Sequence, residues 1–298
     1  MPKPGDELFG RYRPLRRIGQ GRFGEVWEAH DRKGNRVALK VPIDGSEAWP
    51  AERMEREFRA LQQVEHPNVV RAIELLPSEG GLVLEFIDGQ DLLSWVRGDL
   101  SDIVDDGPRK NLPMVFGQVL QEEGSSAYRR CSEKGLKHLV AAIRGFASAI
   151  HRIHEAGWIH LDLTADNLRV THDARPVVLD MGLAVPTSTS TRDHDFALQL
   201  VGSAPYLAPE LGSAPPTPAS DWYSFGVVVF EALTGQLPFD GGGPDVFIRK
   251  RSIAAPRASE LVSNVPAHLD DLCANWLARS PLRRAGVEAI DSLIEISP

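Results

Sequence analysis

Cysteine is scarce: Cys131 and Cys273 are the only two in 298 residues, too few for a disulfide framework and without metal-like spacing. Redox chemistry is not indicated, and free thiols fit a reducing compartment. No run of about eighteen apolar residues occurs, so a membrane span in this chain is not expected. Met1-Pro2-Lys3-Pro4-Gly5-Asp6 has no apolar stretch behind its charge. Neither a signal peptide nor a transit peptide is expected there, and the chain is read as cytoplasmic. Basic blocks are missing too. The 33 Lys and Arg against 41 Asp and Glu give a net charge of −8, which offers no field for a nucleic acid partner. The rest is ordinary for a soluble globular chain, at 42% hydrophobic and 25% charged. The length allows a large core in one or two units.

What is present centres on His160-Leu161-Asp162-Leu163-Thr164-Ala165-Asp166-Asn167, followed a little later by Leu179-Asp180-Met181-Gly182. Phosphoryl transfer needs a carboxylate that orients a hydroxyl nucleophile and accepts its proton. It also needs oxygen ligands for the magnesium that neutralises the phosphates. Asp162, Asn167 and Asp180 supply those groups. Residues 168–170 and 176–179, joined by a polar turn over 171–175, read as two short strands that would return Asp180 beside Asn167. A strand hairpin with incidental acids is the plainer reading. Against it, the two segments resemble the H-R-D-x-x-x-x-N catalytic loop and the D-F-G metal motif of protein kinases.

Segments on both sides extend the resemblance. Gly19-Gln20-Gly21-Arg22-Phe23-Gly24-Glu25-Val26 has the G-x-G-x-x-G-x-V pattern, whose glycines let backbone amides close over a phosphate. Dinucleotide-binding folds use a related pattern, but there the glycines open a helix, whereas a strand follows here. Residues 36–42 read as a second strand carrying Lys40. That lysine is either an edge residue in water or, as in the V-A-I-K motif that it resembles, a ligand for the α- and β-phosphates. A helix is predicted over 51–64 from the stripe Met54, Phe58, Leu61 and Val64. Glu57 falls inside that stripe, where a carboxylate needs a cation, and Lys40 is the preferred partner. Glu52 and Glu55 are the alternatives to Glu57. Strand-like segments over 69–76 and 81–86 complete a small five-stranded antiparallel sheet with one helix. The resemblance implies a hinge over 85–89, with Leu84 controlling access behind the adenine and backbone groups near Glu85 and Ile87 binding its edge. It further implies that Ile18, Gly19, Gln20, Gly21, Gly24, Val26, Ala38 and Lys40 line the rest of the ATP site.

Residues 91–96 read as a short helix opening a second lobe. An insertion then covers about 97–136, where the family needs about ten residues, and its apolar content predicts a helix over 112–122. Long surface insertions are tolerated at about 0.6 kcal/mol per doubling of length, and a regulatory partner at this insertion is the alternative reading. Leu139, Ile143, Phe146, Ile150 and Ile153 mark one face of a long helix ending at Ala156-Gly157. His151 and His154 are read as residues on its surface, and His160 as a buried support for the loop. The hydroxyl-rich stretch over 185–195 reads as a loop, with phosphorylation as an added reading. Gly202-Ser203-Ala204-Pro205-Tyr206-Leu207-Ala208-Pro209-Glu210 resembles the serine/threonine form of the family. The helix from Asp221 is apolar nearly all round and therefore buried. By resemblance, Asp221 braces the catalytic loop and Arg284 pairs with Glu210.

Three departures bear on the chemistry. Leu161 replaces the usual arginine, which removes the receptor for an activating phosphate. Thr164 replaces a lysine that contacts the transferred group, a loss commonly worth about a hundred- to a thousandfold in rate. Met181 replaces phenylalanine and can fill the same apolar slot. The resemblance spans about residues 12–296. It implies an α+β, bilobal kinase domain over 1–298, with an N-lobe over about 1–86 and a larger, mainly helical C-lobe over 90–298. The expected activity is ATP- and Mg2+-dependent phosphorylation of serine or threonine in proteins. Asp162 would be the acceptor-orienting carboxylate, Asn167 and Asp180 the metal ligands, and Lys40 with Glu57 the phosphate-holding pair. A pseudokinase scaffold, for which Leu161 and Thr164 speak, and a small-molecule kinase are the rivals.

Overall fold

The computed structural model describes residues 10–21, 24–42, 51–77, 80–98, 133–190, 204–241, 244–263 and 265–290. The helix predicted over 112–122, the segment 191–203 and the tip of the glycine-rich loop at 22–23 lie outside these residues.

The first sheet contains β1 (Arg13–Gly21), β2 (Gly24–His30), β3 (Arg36–Val41), β4 (Ala72–Leu76) and β5 (Gly81–Glu85), in the order β1-β2-β3-β5-β4. Period-two alternation splits it into two faces. Val37, Leu39, Val41 and Val83 pack with Trp27, Ala29 and Leu76 in one cluster. Ala38, Leu82 and Leu84 turn to the other side, against Met54, Ala60, Leu61 and Val64. Those last four residues lie on or beside α1 (Ala51–Gln63), whose apolar stripe buries onto the sheet. Lys40 pairs in register with Val26 and Leu82, and Ala38 with Leu84, so the second face brings these side chains into one row.

The strand expected over 69–76 is shorter than the sequence suggested, beginning at Ala72. Residues 68–70 instead bond to β9 (Pro176–Val178): the Val70 N–H donates to Val178 at 2.9 Å, and Val178 N–H to Asn68 at 2.8 Å. The Asn68 side-chain amide adds a bond to the Pro176 carbonyl at 2.7 Å. Backbone groups that would have extended the sheet thus tie it to the helical half.

That half begins with β6 (Gly89–Asp91) and α2 (Leu92–Arg97), capped by the Asp91 carboxylate. Then come α3 (Glu133–Glu155), β7 (Trp158–Ile159), a 3-10 turn over Ala165–Asn167, β8 (Leu168–Thr171), β9 and β10 (Val185–Pro186). Leu139, Ile143, Phe146, Ile150 and Ile153 are all fully buried along α3. Gly157, at φ 83°, turns the chain after it. The helix α4 (Pro218–Thr234) is buried nearly throughout and carries the domain's centre, with Phe225 packed on Phe146 and Trp276. Around it lie α5 (Pro244–Ser252), α6 (Ala258–Leu261) and α7 (Ala267–Trp276). No helix among the described residues is long and apolar enough to cross a membrane.

Candidate active site

Three elements deliver charge to one buried point. Lys40 Nζ, from β3, lies 2.9 Å from both carboxylate oxygens of Glu57, from α1, and 2.7 Å from Oδ1 of Asp180, which follows β9. Of the three acids near this part of α1, Glu57 is the one that meets Lys40; Glu52 and Glu55 are exposed. Burial opposes the Lys40 charge, but Asp180 and Glu57 outweigh it and hold the ammonium above its ordinary range. Burial likewise opposes ionisation of Asp180, yet Lys40 and the Gly182 N–H keep its carboxyl below the usual value. Glu57, fully buried and facing a second carboxylate, is pushed up to about 7.

The backbone here is strained where it turns. Leu161 and Asp180 sit at φ 66° and 55°, in the left-handed region that non-glycine residues seldom occupy. Asp221, fully buried in α4, anchors the first: Oδ1 accepts from Leu161 N–H and Oδ2 from His160 N–H, each at 2.8 Å. The same Oδ2 takes His154 Nε2 at 2.8 Å. His154 is therefore not a surface residue, because a carboxylate from a distant helix draws it inward. His160 stands with Nε2 2.9 Å from the Leu179 carbonyl and Nδ1 3.2 Å from the Asp162 N–H, partners that assign its proton to Nε2. Leu161 itself is buried, packing with Leu163 and Met181 in the main core.

Asn167 donates its side-chain amide to both the carbonyl and Oδ2 of Asp162, at 2.8 and 3.0 Å. Its amide oxygen and the Asp180 carboxylate are both oxygen donors, the kind of ligand that Mg2+ takes. The Leu179 N–H donates to the Asn167 carbonyl at 2.8 Å, so Asn167 and Asp180 are held by adjoining backbone. Gly182 has a spatial role: a Cβ there would stand 2.8 Å from Asp180 Oδ1, 3.2 Å from Glu57 Oε2 and 3.3 Å from Lys40 Nζ.

Ala38, two residues before Lys40 on β3, pairs with Leu84; both are buried, as is Ile87, and the half-buried Ile18 and Val26 pack against the same core. Gly19, Gln20 and Gly21 end β1 and Gly24 opens β2, paired across the hairpin, and Glu85 ends β5. Thr164 contributes backbone to the loop, donating to the Asp162 carbonyl at 3.0 Å and accepting from Asn167 N–H at 3.1 Å. One contact escaped the sequence reading. Arg53 Nε donates to the Gly182 carbonyl at 2.8 Å, and its position one turn before Glu57, on the same helix face, was the available signal. Farther off, Arg284 forks onto Glu210, with Nη1–Oε1 at 2.7 Å and Nη2–Oε2 at 2.8 Å.

Comparison with known proteins agrees with this geometry. The chain is 33% identical to the serine/threonine-protein kinase pkn2 of Myxococcus xanthus over 84% of its own length and 27% of that protein. To the serine/threonine-protein kinase PknA of Mycobacterium tuberculosis it is 29% identical, over 95% of this chain and 60% of the relative. It therefore spans only part of the curated relatives that it matches. The protein kinase domain family matches residues 12–292, and the chain belongs to that family.

Proposed function

We propose that this chain is an ATP- and magnesium-dependent protein serine/threonine kinase. The observation that carries the reading is the sharing of one buried ammonium, Lys40, by two carboxylates from separate elements, Glu57 and Asp180. Of the two carboxylates, that of Asp180 is partly exposed and offers oxygen to a divalent cation. Magnesium, when bound by Asp180 and Asn167, supplies charge neutralisation of the nucleotide phosphates.

Each residue then has a defined task. Glu57 holds Lys40 in place, so that the ammonium lies where α- and β-phosphate oxygens approach. Ala38, Leu84, Ile87, Ile18 and Val26 supply an apolar slot for the adenine, and backbone groups of Glu85 and Ile87 bind its edge. Gly19, Gln20, Gly21 and Gly24 bring backbone amides over the phosphates. Asp162, oriented by the Asn167 amide, accepts the proton of the serine or threonine hydroxyl as its oxygen attacks the γ-phosphorus, and the bond from that phosphorus to the β–γ bridging oxygen breaks to release ADP. A regulatory partner acting through the insertion over 97–136, of which residues 99–132 lie outside the described ones, is part of this proposal.

Incubation with γ-labelled ATP, Mg2+ and a generic protein acceptor, followed by phosphoamino-acid analysis, tests the reading. Label on serine or threonine, lost in Asp162→Asn, is the expected result. Label on tyrosine alone, or none on any protein while nucleotide binds, would overturn it.

A further inference from the structure

Lys250 of α5 is 1% exposed, although it lies between two arginines on a short surface helix. Its ammonium donates to the carbonyls of Ala204 at 2.9 Å, Pro205 at 2.6 Å and Leu207 at 2.7 Å. Three N–H groups meet three acceptors, so its donor capacity is filled. The rings of Tyr223 and Phe247 stand 5.3 and 5.9 Å from the nitrogen. No ion pair to Lys250 occurs among the described residues. Burial pushes its ammonium down to about 7, against the pull of Glu210. An unbalanced buried cation is costly, and a methionine could fill the same space without desolvating a charge.

What the cation secures is the shape of one stretch of chain. Three carbonyl oxygens aimed at one point repel one another unless a donor sits between them. Arg251 continues the pattern, with Nε on the Pro209 carbonyl at 2.7 Å and Nη2 on that of Leu211 at 3.1 Å. The stretch also adjoins the catalytic loop. The Tyr206 hydroxyl donates to Glu231 at 2.7 Å, and both groups feel the charge of Asp166, four residues beyond Asp162.

We propose that Lys250 is a positioning residue of the acceptor site: by gathering the carbonyls of Ala204, Pro205 and Leu207, it fixes the wall along which a protein acceptor lies when its hydroxyl reaches Asp162. The inference rests on the kinase reading of the site. It assigns to α5 an influence on acceptor affinity that is separate from nucleotide binding.

Steady-state kinetics with Mg-ATP and a generic protein acceptor, each varied in turn, test it on wild type, Lys250→Met, Lys250→Arg and Tyr206→Phe. Lys250→Met should raise the acceptor KM by about tenfold or more while the ATP KM stays within about threefold. Lys250→Arg, which keeps a cation, should recover part of that loss. Tyr206→Phe loosens the same stretch without removing a buried charge, and should raise the acceptor KM by a smaller factor. It carries the test alone if Lys250→Met does not fold. An unchanged acceptor KM in the folded variants, or an equal rise in the ATP KM, overturns the inference while the wild type remains an active kinase. A wild type that binds Mg-ATP and phosphorylates no acceptor overturns the kinase reading, and this inference with it.

Discussion

Around Lys40 two carboxylates share one ammonium, whereas around Arg284 a single carboxylate takes both arms of the guanidinium and backbone carbonyls take the rest. All five N–H donors of Arg284 are used: two bonds go to Glu210, and the others to the carbonyls of Ala278, Ala219 and Arg279. Its side chain is fully buried, and charge balances charge. Lys40 and Glu57 are buried as well, but Asp180 is partly exposed, and this cluster, two carboxylates on one ammonium, joins the sheet to the helical half. On the proposed reading, saturation marks the pair that holds the fold, and imbalance marks the cluster proposed to receive nucleotide and metal. The difference is open to experiment.

Lys40→Met removes the shared ammonium, so phosphoryl transfer should fall by about a thousandfold or more. Circular dichroism and melting should still report a folded protein. Transfer within about threefold of wild type would dissolve the distinction. At the balanced site the effect should fall on stability. Glu210→Ala leaves the Arg284 guanidinium buried without its counter-ion, at a cost of about 3–5 kcal/mol. Urea unfolding measures this, and a loss under about 1 kcal/mol would mean that the carbonyls suffice.

Gly182→Ala sharpens the comparison from within the cluster, since the added Cβ must displace Asp180 or the Lys40–Glu57 pair. Displacements of about 1 Å at a reacting centre commonly cost about a hundredfold, which is the expected fall in kcat/KM. Activity equal to wild type would show slack where the structure has none. A smaller effect comes from pH. With Glu57 at about 7 against an ordinary 4.5, the folded protein binds more protons than the unfolded chain between those values. That contribution to stability therefore falls as pH rises through the window. Glu57→Gln lacks the titration, so between about pH 5 and pH 7 the wild type should lose melting temperature relative to the variant. A constant gap would place Glu57 nearer its ordinary value. Smallest is Thr164→Lys, expected to raise turnover severalfold with little change in nucleotide affinity, by adding a cation beside the transferring group. Unchanged turnover would show that another cation already fills the role.

Much of this contrast could be read without coordinates, because it follows from local rules. Glu57 stood out as an acid inside an apolar helical stripe, and Lys40 as a cation inside an apolar strand. Each needed the other. The five strands and the buried α3 face followed from periodicity. The positions that escaped depend on partners far away in sequence. His154 lies next to the apolar Ile153 on α3, and only Asp221, 67 residues on, decides that it turns inward. Lys250 is hidden among Arg249 and Arg251, where nothing local tells which cation faces the carbonyls of residues 204–207. The shortened β4 reflects a choice between two hydrogen-bonding partners, the sheet or β9, that alternation alone does not settle.

The most direct test of the central claim is a paired measurement on Asp180→Ala, with phosphoryl transfer to a protein acceptor and thermal unfolding recorded on the same preparation. If the unbalanced cluster exists for chemistry, transfer falls below detection while the midpoint stays within a few degrees of wild type. A variant that still transfers phosphate at a rate near wild type, or one that fails to fold, would contradict the account.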